Sequence, residues 1–192
     1  MKKLIAILIV FTMLFSFAGC TSAKPDKTVS GMLEAIKSWD TAAMGGFIDI
    51  NQLYADANVA SENQDQMTDI LKLITQNLSY QILNTKVDGD SAVVTVSITN
   101  TDMSAAMSEY MLNIFALAFS GNYATEAELE TAAYDLLKTS IQNNMSKTVT
   151  NQVDVQLTKQ DKDWVVTMSD ELTDAIFGGM ITAANNLSSS FN

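Results

Sequence analysis

Apolar residues recur along the chain at spacings that change several times, and each change marks an element. Leu4 to Phe15 is a nearly continuous apolar run, broken only by Thr12 and preceded by Lys2-Lys3. Beyond it the spacing becomes three and four. Val29, Met32, Leu33, Ile36, Trp39 and Ala43 share one face of a helix that opens near Asp26 or Thr28 and stops at Gly45-Gly46. Ser61-Glu62-Asn63-Gln64 has the form of a capping box, which predicts a second helix whose buried stripe is Met67, Ile70, Leu71, Ile74 and Leu78.

From Tyr80 the period falls to two. Tyr80, Ile82 and Asn84 alternate with Gln81, Leu83 and Thr85. Asp88-Gly89-Asp90 supplies a turn, and Ala92 to Ile98 returns with Val94, Val96 and Ile98 facing inward. A second hairpin places Val149, Val153, Val155 and Leu157 before Asp161-Lys162-Asp163, and Trp164 to Met168 after it. Two helices lie between the hairpins. Asp102 to about Phe119 carries Met103, Met107, Tyr110, Ile114 and Leu117 on one face and Met111, Phe115 and Phe119 on another, so it is apolar on most sides. Thr125-Glu126-Ala127-Glu128 opens the next as a capping box, with Leu129, Ala133, Leu136, Leu137, Ile141 and Met145 turned inward. A last helix from Ser169 or Asp170 buries Leu172, Ile176, Met180, Ala183 and Leu187, and the tail from Ser188 frays. This order predicts an α+β fold, a curved four-stranded antiparallel sheet from two hairpins packed against helices on one face. The two hairpins resemble each other around Thr85 to Asp90 and Thr158 to Asp163. Duplication accounts for this, and so does the common composition of amphipathic hairpins with acidic turns.

The first apolar run is too short to span a bilayer comfortably, where about 20 residues are needed, and it ends in Phe17-Ala18-Gly19-Cys20. That ending resembles the lipobox of bacterial lipoproteins, with Phe17 where leucine is usual. It implies cleavage after residue 19 and a diacylglyceryl group on the Cys20 thiol. The alternatives are an uncleaved anchor helix or an ordinary secretory signal. Cys20 is the single cysteine, so the chain has no internal disulfide. The expected organisation is a leader over 1–19, a lipidated cysteine and polar tether over 20–25, and one domain over 26–192. Pro25 is the single proline, and no Pro/Gly-rich linker divides that domain.

Charge narrows the functional classes. The chain has 22 carboxylates against 11 basic residues, all lysine, and it has no histidine. Such an acidic surface repels phosphate backbones and lacks arginine forks, which argues against nucleic acid as a partner. Anionic headgroups repel it as well, so acyl chains on Cys20 would hold it at the extracytoplasmic face of the cell membrane.

Thr28-Val29-x-x-Met32-Leu33-x-Ala35-Ile36-Lys37-x-x-Asp40, the segment Val87 to Val94, and Lys162-Asp163-Trp164-Val165-Val166 add to the lipobox. Together they resemble Gram-positive lipoproteins with a domain of the nuclear-transport-factor-two-like, or ketosteroid-isomerase-like, superfamily. The resemblance implies a strongly curved sheet wrapped round a helix, often leaving a conical cavity. The long helices over 102–146 would fill or cap that cavity, and no catalytic residue carries over.

The absence of histidine removes a Ser-His-Asp triad and an imidazole base, and lipidation would occupy the one thiol. Gly45-Gly46 and Gly178-Gly179 lack the setting of a phosphate loop. The carboxylates sit at hairpin tips, as Asp88, Asp90, Asp161 and Asp163 do, or in first helical turns, as Glu126, Glu128, Asp170 and Glu171 do; these are solvated or dipole-pairing places. Calcium at the acidic turns lacks a twelve-residue ligand loop, and Met103, Met107 and Met111 serve a core better than a soft metal. No cofactor or metal is expected. The function that remains is a non-enzymatic, membrane-tethered module that binds a protein or a small apolar ligand, with Tyr80, Tyr110, Phe115 and Trp164 as candidate lining. The competing class is a small hydrolase or isomerase with a buried carboxylate base in the conical pocket.

Overall fold

The computed structural model describes residues 24–56, 59–119 and 125–190. The leader and Cys20 lie outside the described residues. Helix α1 is Pro25–Ser38. Pro25 sits in its first turn, where a missing N–H leaves no bond unmade, so the helix begins inside the stretch read as tether. Val29, Met32, Leu33 and Ile36 are fully buried, as their spacing requires.

The expected continuation to Ala43 does not occur. Trp39 takes the left-handed conformation, φ 53°, and its N–H bonds the carbonyls of Ala35 and Ile36, which ends α1. Asp40 then starts a new short helix, α2 (Thr41–Met44), by accepting from the amides of Ala42 and Ala43 at 3.1 Å each. The restart turns Ala43 to solvent and buries Met44. A third helix, α3 (Ile50–Asp56), has no counterpart in the sequence pattern. Asp49 nucleates it by accepting from the amides of Asn51 and Gln52. The capping box at Ser61 is also a misreading: Ser61–Asn63 is a 3₁₀ turn with no side-chain cap, and α4 spans Gln64–Thr75. Asn63 instead reaches Glu130 at 2.5 Å. Of the expected stripe, Ile70, Leu71, Ile74 and Leu78 are buried and Met67 is half-buried.

Strands β1 (Ser79–Asp88), β2 (Ser91–Thr101), β3 (Thr148–Gln160) and β4 (Asp163–Thr167) pair antiparallel in the order β1-β2-β3-β4. The sheet is open and curled, with helices packed on it, which bears out the α+β expectation. The first residue of each hairpin loop is left-handed, Gly89 at φ 58° and Asp161 at φ 55°, and both residue types tolerate that region. Alternation on β1 breaks where the register shifts between Ile82 and Asn84. This bulge puts Tyr80 and Ile82 opposite Ile98 and Val96, and Thr85 and Val87 opposite Val94 and Ala92. Val94, Val96, Ile98, Val153, Val155, Leu157 and Trp164 are buried on the inner face, while Gln152, Asp154 and Gln156 are exposed on the outer one.

Helices α5 (Met103–Phe119) and α6 (Glu126–Asn144) are inserted between the two central strands and pack along each other. Thr125 caps α6 by accepting from the amide of Glu128 at 3.2 Å, as its sequence predicts. Of its expected inward residues Ile141 is fully buried, whereas Leu129, Ala133, Leu136, Leu137 and Met145 are half-buried. The final helix is two: α7 (Asp170–Ile176) and α8 (Met180–Ser190), separated by Phe177-Gly178-Gly179 with both glycines at positive φ. Asp174 caps the second by accepting from the amides of Ile181 and Thr182.

Four chain connections meet at one corner beneath α5. Asn77 Nδ2 donates to Thr101 Oγ1 and to the Met145 carbonyl, at 3.2 and 3.3 Å. The Asp102 amide donates to the Lys147 carbonyl at 2.8 Å, and the Met103 amide donates to the Gly178 carbonyl at 2.9 Å. Asn100, fully buried, donates to the Ile176 carbonyl at 2.6 Å and accepts from the Thr101 amide at 2.8 Å. This junction fixes where the α5–α6 pair leaves the sheet.

Candidate functional site

The four aromatic residues singled out by the sequence do not share one place. Tyr80 lies on edge strand β1. Its hydroxyl donates to Glu34 at 3.0 Å and approaches the Ser30 carbonyl at 3.4 Å. Burial raises its pKa, and the neighbouring Glu34 adds to that rise. Trp164 lies on the opposite edge strand, β4, buried in the core with Lys159 Nζ 6.0 Å from its ring. Tyr110 and Phe115 share α5. Tyr110 is half-buried, and burial, then the neighbouring Tyr134, raises its pKa.

Helix α5 changes character along its length. Its solvent face begins with Ser104 and Ser108, then continues at the same spacing into Leu112, Phe115, Ala116 and Phe119. Leu112 is 76% exposed, Phe115 49% and Phe119 85%. The opposite side is anchored by buried Met103 and Ala106 near the sheet corner. An amphipathic helix thus becomes apolar on both sides as it runs out from the core. Helix α6 opens at the same end of the pair with exposed Glu126, Glu128 and Glu130. The exposed apolar stripe and these carboxylates therefore lie toward the same end of the helix pair.

In the first half of α5, Glu109 accepts from Asn143 and Asn144 side-chain amides at 2.7 Å each, and these hydrogen bonds hold its carboxyl below its ordinary value of 4.5. A depressed carboxyl stabilises the fold above its unfolded value, and that contribution is lost as pH falls through the lower folded value. We expect Glu109→Gln to flatten the part of the acid limb just below pH 4.5, seen by comparing thermal midpoints of the two proteins across that range.

A second feature was not picked out by the sequence. The end of α1 and the outer face of α4 form an open cleft of about 600 Å³, lined by Lys37, Ser38, Trp39, Thr41, Thr68, Lys72 and Gln76. Neither lysine forms an ion pair among the described residues. The strained Trp39 and the restart at Asp40 shape its wall. Scarcity of cations in an acidic chain was the available signal, but the meeting of residues 37 and 72 is tertiary. Among the described residues, no three carboxylate, cysteine or histidine side chains converge as metal ligands.

The chain matches no protein-family model and no curated protein. A solved structure similar to it is the crystal structure of a candidate lipoprotein (ycdA) from Bacillus subtilis subsp. subtilis str. 168, at 2.62 Å resolution. The two align with 21% identity and a TM-score of 0.44, over 81% of this chain and 47% of the other, so this chain spans about half of that protein's length.

Proposed function

We propose that the chain is an extracytoplasmic lipoprotein that works as a non-enzymatic interaction module, with the outer stripe of α5 as its contact surface. The observation that carries this reading is the large exposure of Leu112 and Phe119 on a helix whose inner half is properly amphipathic. Exposed apolar patches with a polar rim mark interaction surfaces. The excess of carboxylates over lysines in the chain favours a protein partner whose apolar residues are bordered by lysine or arginine. An enzymatic alternative requires a buried carboxylate beside a tyrosine. Among the described residues, the buried polar ones are Thr75, Asn100, Thr101, Ser140 and Asn144, none of them a carboxylate, and Glu109 is shifted in the direction that disfavours a base.

The sequence around Cys20 supports a lipid anchor. Four residues, Thr21 to Lys24, then separate the anchor from α1, and an extended chain of that length reaches no more than about 18 Å. The domain would therefore work close to the membrane. In producing cells, the wild type should incorporate labelled fatty acid and pellet with membranes, and Cys20→Ser should do neither. Membrane retention of unlabelled Cys20→Ser would contradict the anchor.

The contact surface is tested by placing a photo-crosslinking residue at 112 or 119 and, for comparison, at 87 on β1, where Val87 is 55% exposed. Discrete adducts from both α5 positions and none from residue 87 are expected. Equal adducts from all three positions would mean that any exposed apolar residue reacts and that α5 is not special.

A further inference from the structure

We propose that the cleft between α1 and α4 is a binding site for a phosphate ester, independent of the α5 surface. The case rests on its donors. Lysine ammonium and indole N–H groups donate and cannot accept, and Lys37 and Trp39 at the end of α1 and Lys72 on α4 line a cleft of about 600 Å³. Thr41 adds a hydroxyl. Ser38 and Thr68 already donate to the carbonyls of Glu34 and Gln64 at 2.8 and 2.7 Å, and Thr68 also accepts from the Tyr54 hydroxyl, so both hydroxyls are engaged within the fold. The carboxylate next in sequence, Asp40, is directed at the amides of Ala42 and Ala43. The site therefore offers donors and positive charge to whatever enters it, in a chain of net charge −11. Two exposed ammoniums without ion-pair partners among the described residues match a ligand with two negative charges and several acceptor oxygens, and lysine binds phosphate as a point charge.

The open cleft leaves room for more than an anion. A site for a bare anion needs far less space, whereas small-molecule sites run from about 300 to 1,000 Å³. The apolar part of the lining is Trp39, half-buried against the core, and it would take the carbon skeleton of a polyol or sugar. Trp39 is held there by a backbone conformation that bulky residues rarely adopt, with φ 53° and its N–H bonded to Ala35 and Ile36. Strain of this kind persists where surrounding structure imposes it, and here it sets the side chain at the cleft.

The same chemistry has two sources, a free phosphate monoester and the phosphodiester of a lipid headgroup. Glycerol 3-phosphate and glycerophosphoglycerol, which carries no acyl chain, distinguish them. The full chain contains two tryptophans, so its indole N–H resonances report separately on the cleft (Trp39) and on the core (Trp164). On titration, the Trp39 resonance should move while that of Trp164 stays. Lys37→Met with Lys72→Met should weaken binding at least tenfold, and Lys86→Met, on exposed β1, should not change it. An unmoved Trp164 resonance in each variant shows that the core is intact. Tighter binding of the monoester assigns the free ester as source, and equal or tighter binding of the diester assigns the headgroup. If neither moves Trp39 at millimolar concentration, or the double lysine variant binds as the wild type does, the proposal is wrong. Neither outcome bears on the α5 surface.

Discussion

Gly178→Ala will unfold the protein more readily than any other single methyl addition at its structurally described glycines. A Cβ at this position would stand 1.9 Å from the Thr101 carbonyl oxygen and 3.3 Å from Met103 Cγ. The oxygen cannot retreat easily. Thr101 is paired with Thr148 in the sheet, and the Met103 amide two residues on is bonded to the Gly178 carbonyl at 2.9 Å. The backbone is also left-handed, φ 64°, which costs a residue with a side chain about 1–2 kcal/mol before any clash. Together these give a loss of about 4 kcal/mol, or roughly 8–16 °C in thermal midpoint for a domain of this size. Gly179→Ala separates the two causes. It has φ 79° but nothing within 4 Å of its added methyl, so it should show the conformational cost alone. Equal losses at both positions in a thermal scan would show that the approach to Thr101 does not matter.

Asn100→Leu comes second. The change keeps volume and burial but leaves the Ile176 carbonyl and the Thr101 amide without the partners now at 2.6 and 2.8 Å. Each unsatisfied buried group costs about 1–3 kcal/mol, so a loss of about 3 kcal/mol is expected. Chemical denaturation should lower the midpoint with an unchanged slope. A loss below about 1 kcal/mol would mean that solvent reaches these groups, since an exposed group regains its hydrogen bond from water. The double variant should lose less than the two single changes combined, because both act on the same docking of α7 and α8 against β2.

These residues show why parts of the fold were legible in the sequence and others were not. Val94, Val96 and Ile98 alternate because one sheet face is buried along its whole length, so the two-residue period survives in the sequence. The inward face of α1 is visible for the same reason at its own period. The breaks in helices were hidden because apolar spacing continues across them. Leu172, Ile176 and Met180 are spaced by four through the Gly178-Gly179 break, and Ile36, Trp39 and Ala43 by three and four through the left-handed Trp39. Local hydrogen bonds decide those places: Asp40 and Asp174 each capture amides that a continuous helix would have used internally. The bulge at Leu83 is likewise invisible to alternation, since it changes the face by one residue without any glycine or proline to announce it.

The candidate sites divide in the same way. The excess of apolar residues over 103–119 was plain, and Phe115 was already singled out, but exposure of Leu112 and Phe119 depends on how far α5 projects beyond the sheet corner. Tyr80 and Trp164, read from the sequence as candidate lining of one pocket, occupy opposite edges of the sheet because β2 and β3 pair centrally across the long α5–α6 insertion. Lys37 and Lys72 meet through the packing of α1 against α4, a contact no local pattern encodes.

The most direct measurement is the yield of the cross-link from position 119 in a chain that also carries Leu112→Asp, with the thermal midpoint of the same protein recorded alongside. A working contact surface on α5 predicts that the adduct disappears while the midpoint stays within the small range usual for surface changes, about 0.5 kcal/mol in equivalent stability. An adduct that persists undiminished, or a midpoint that falls as it does for a core residue, would contradict it.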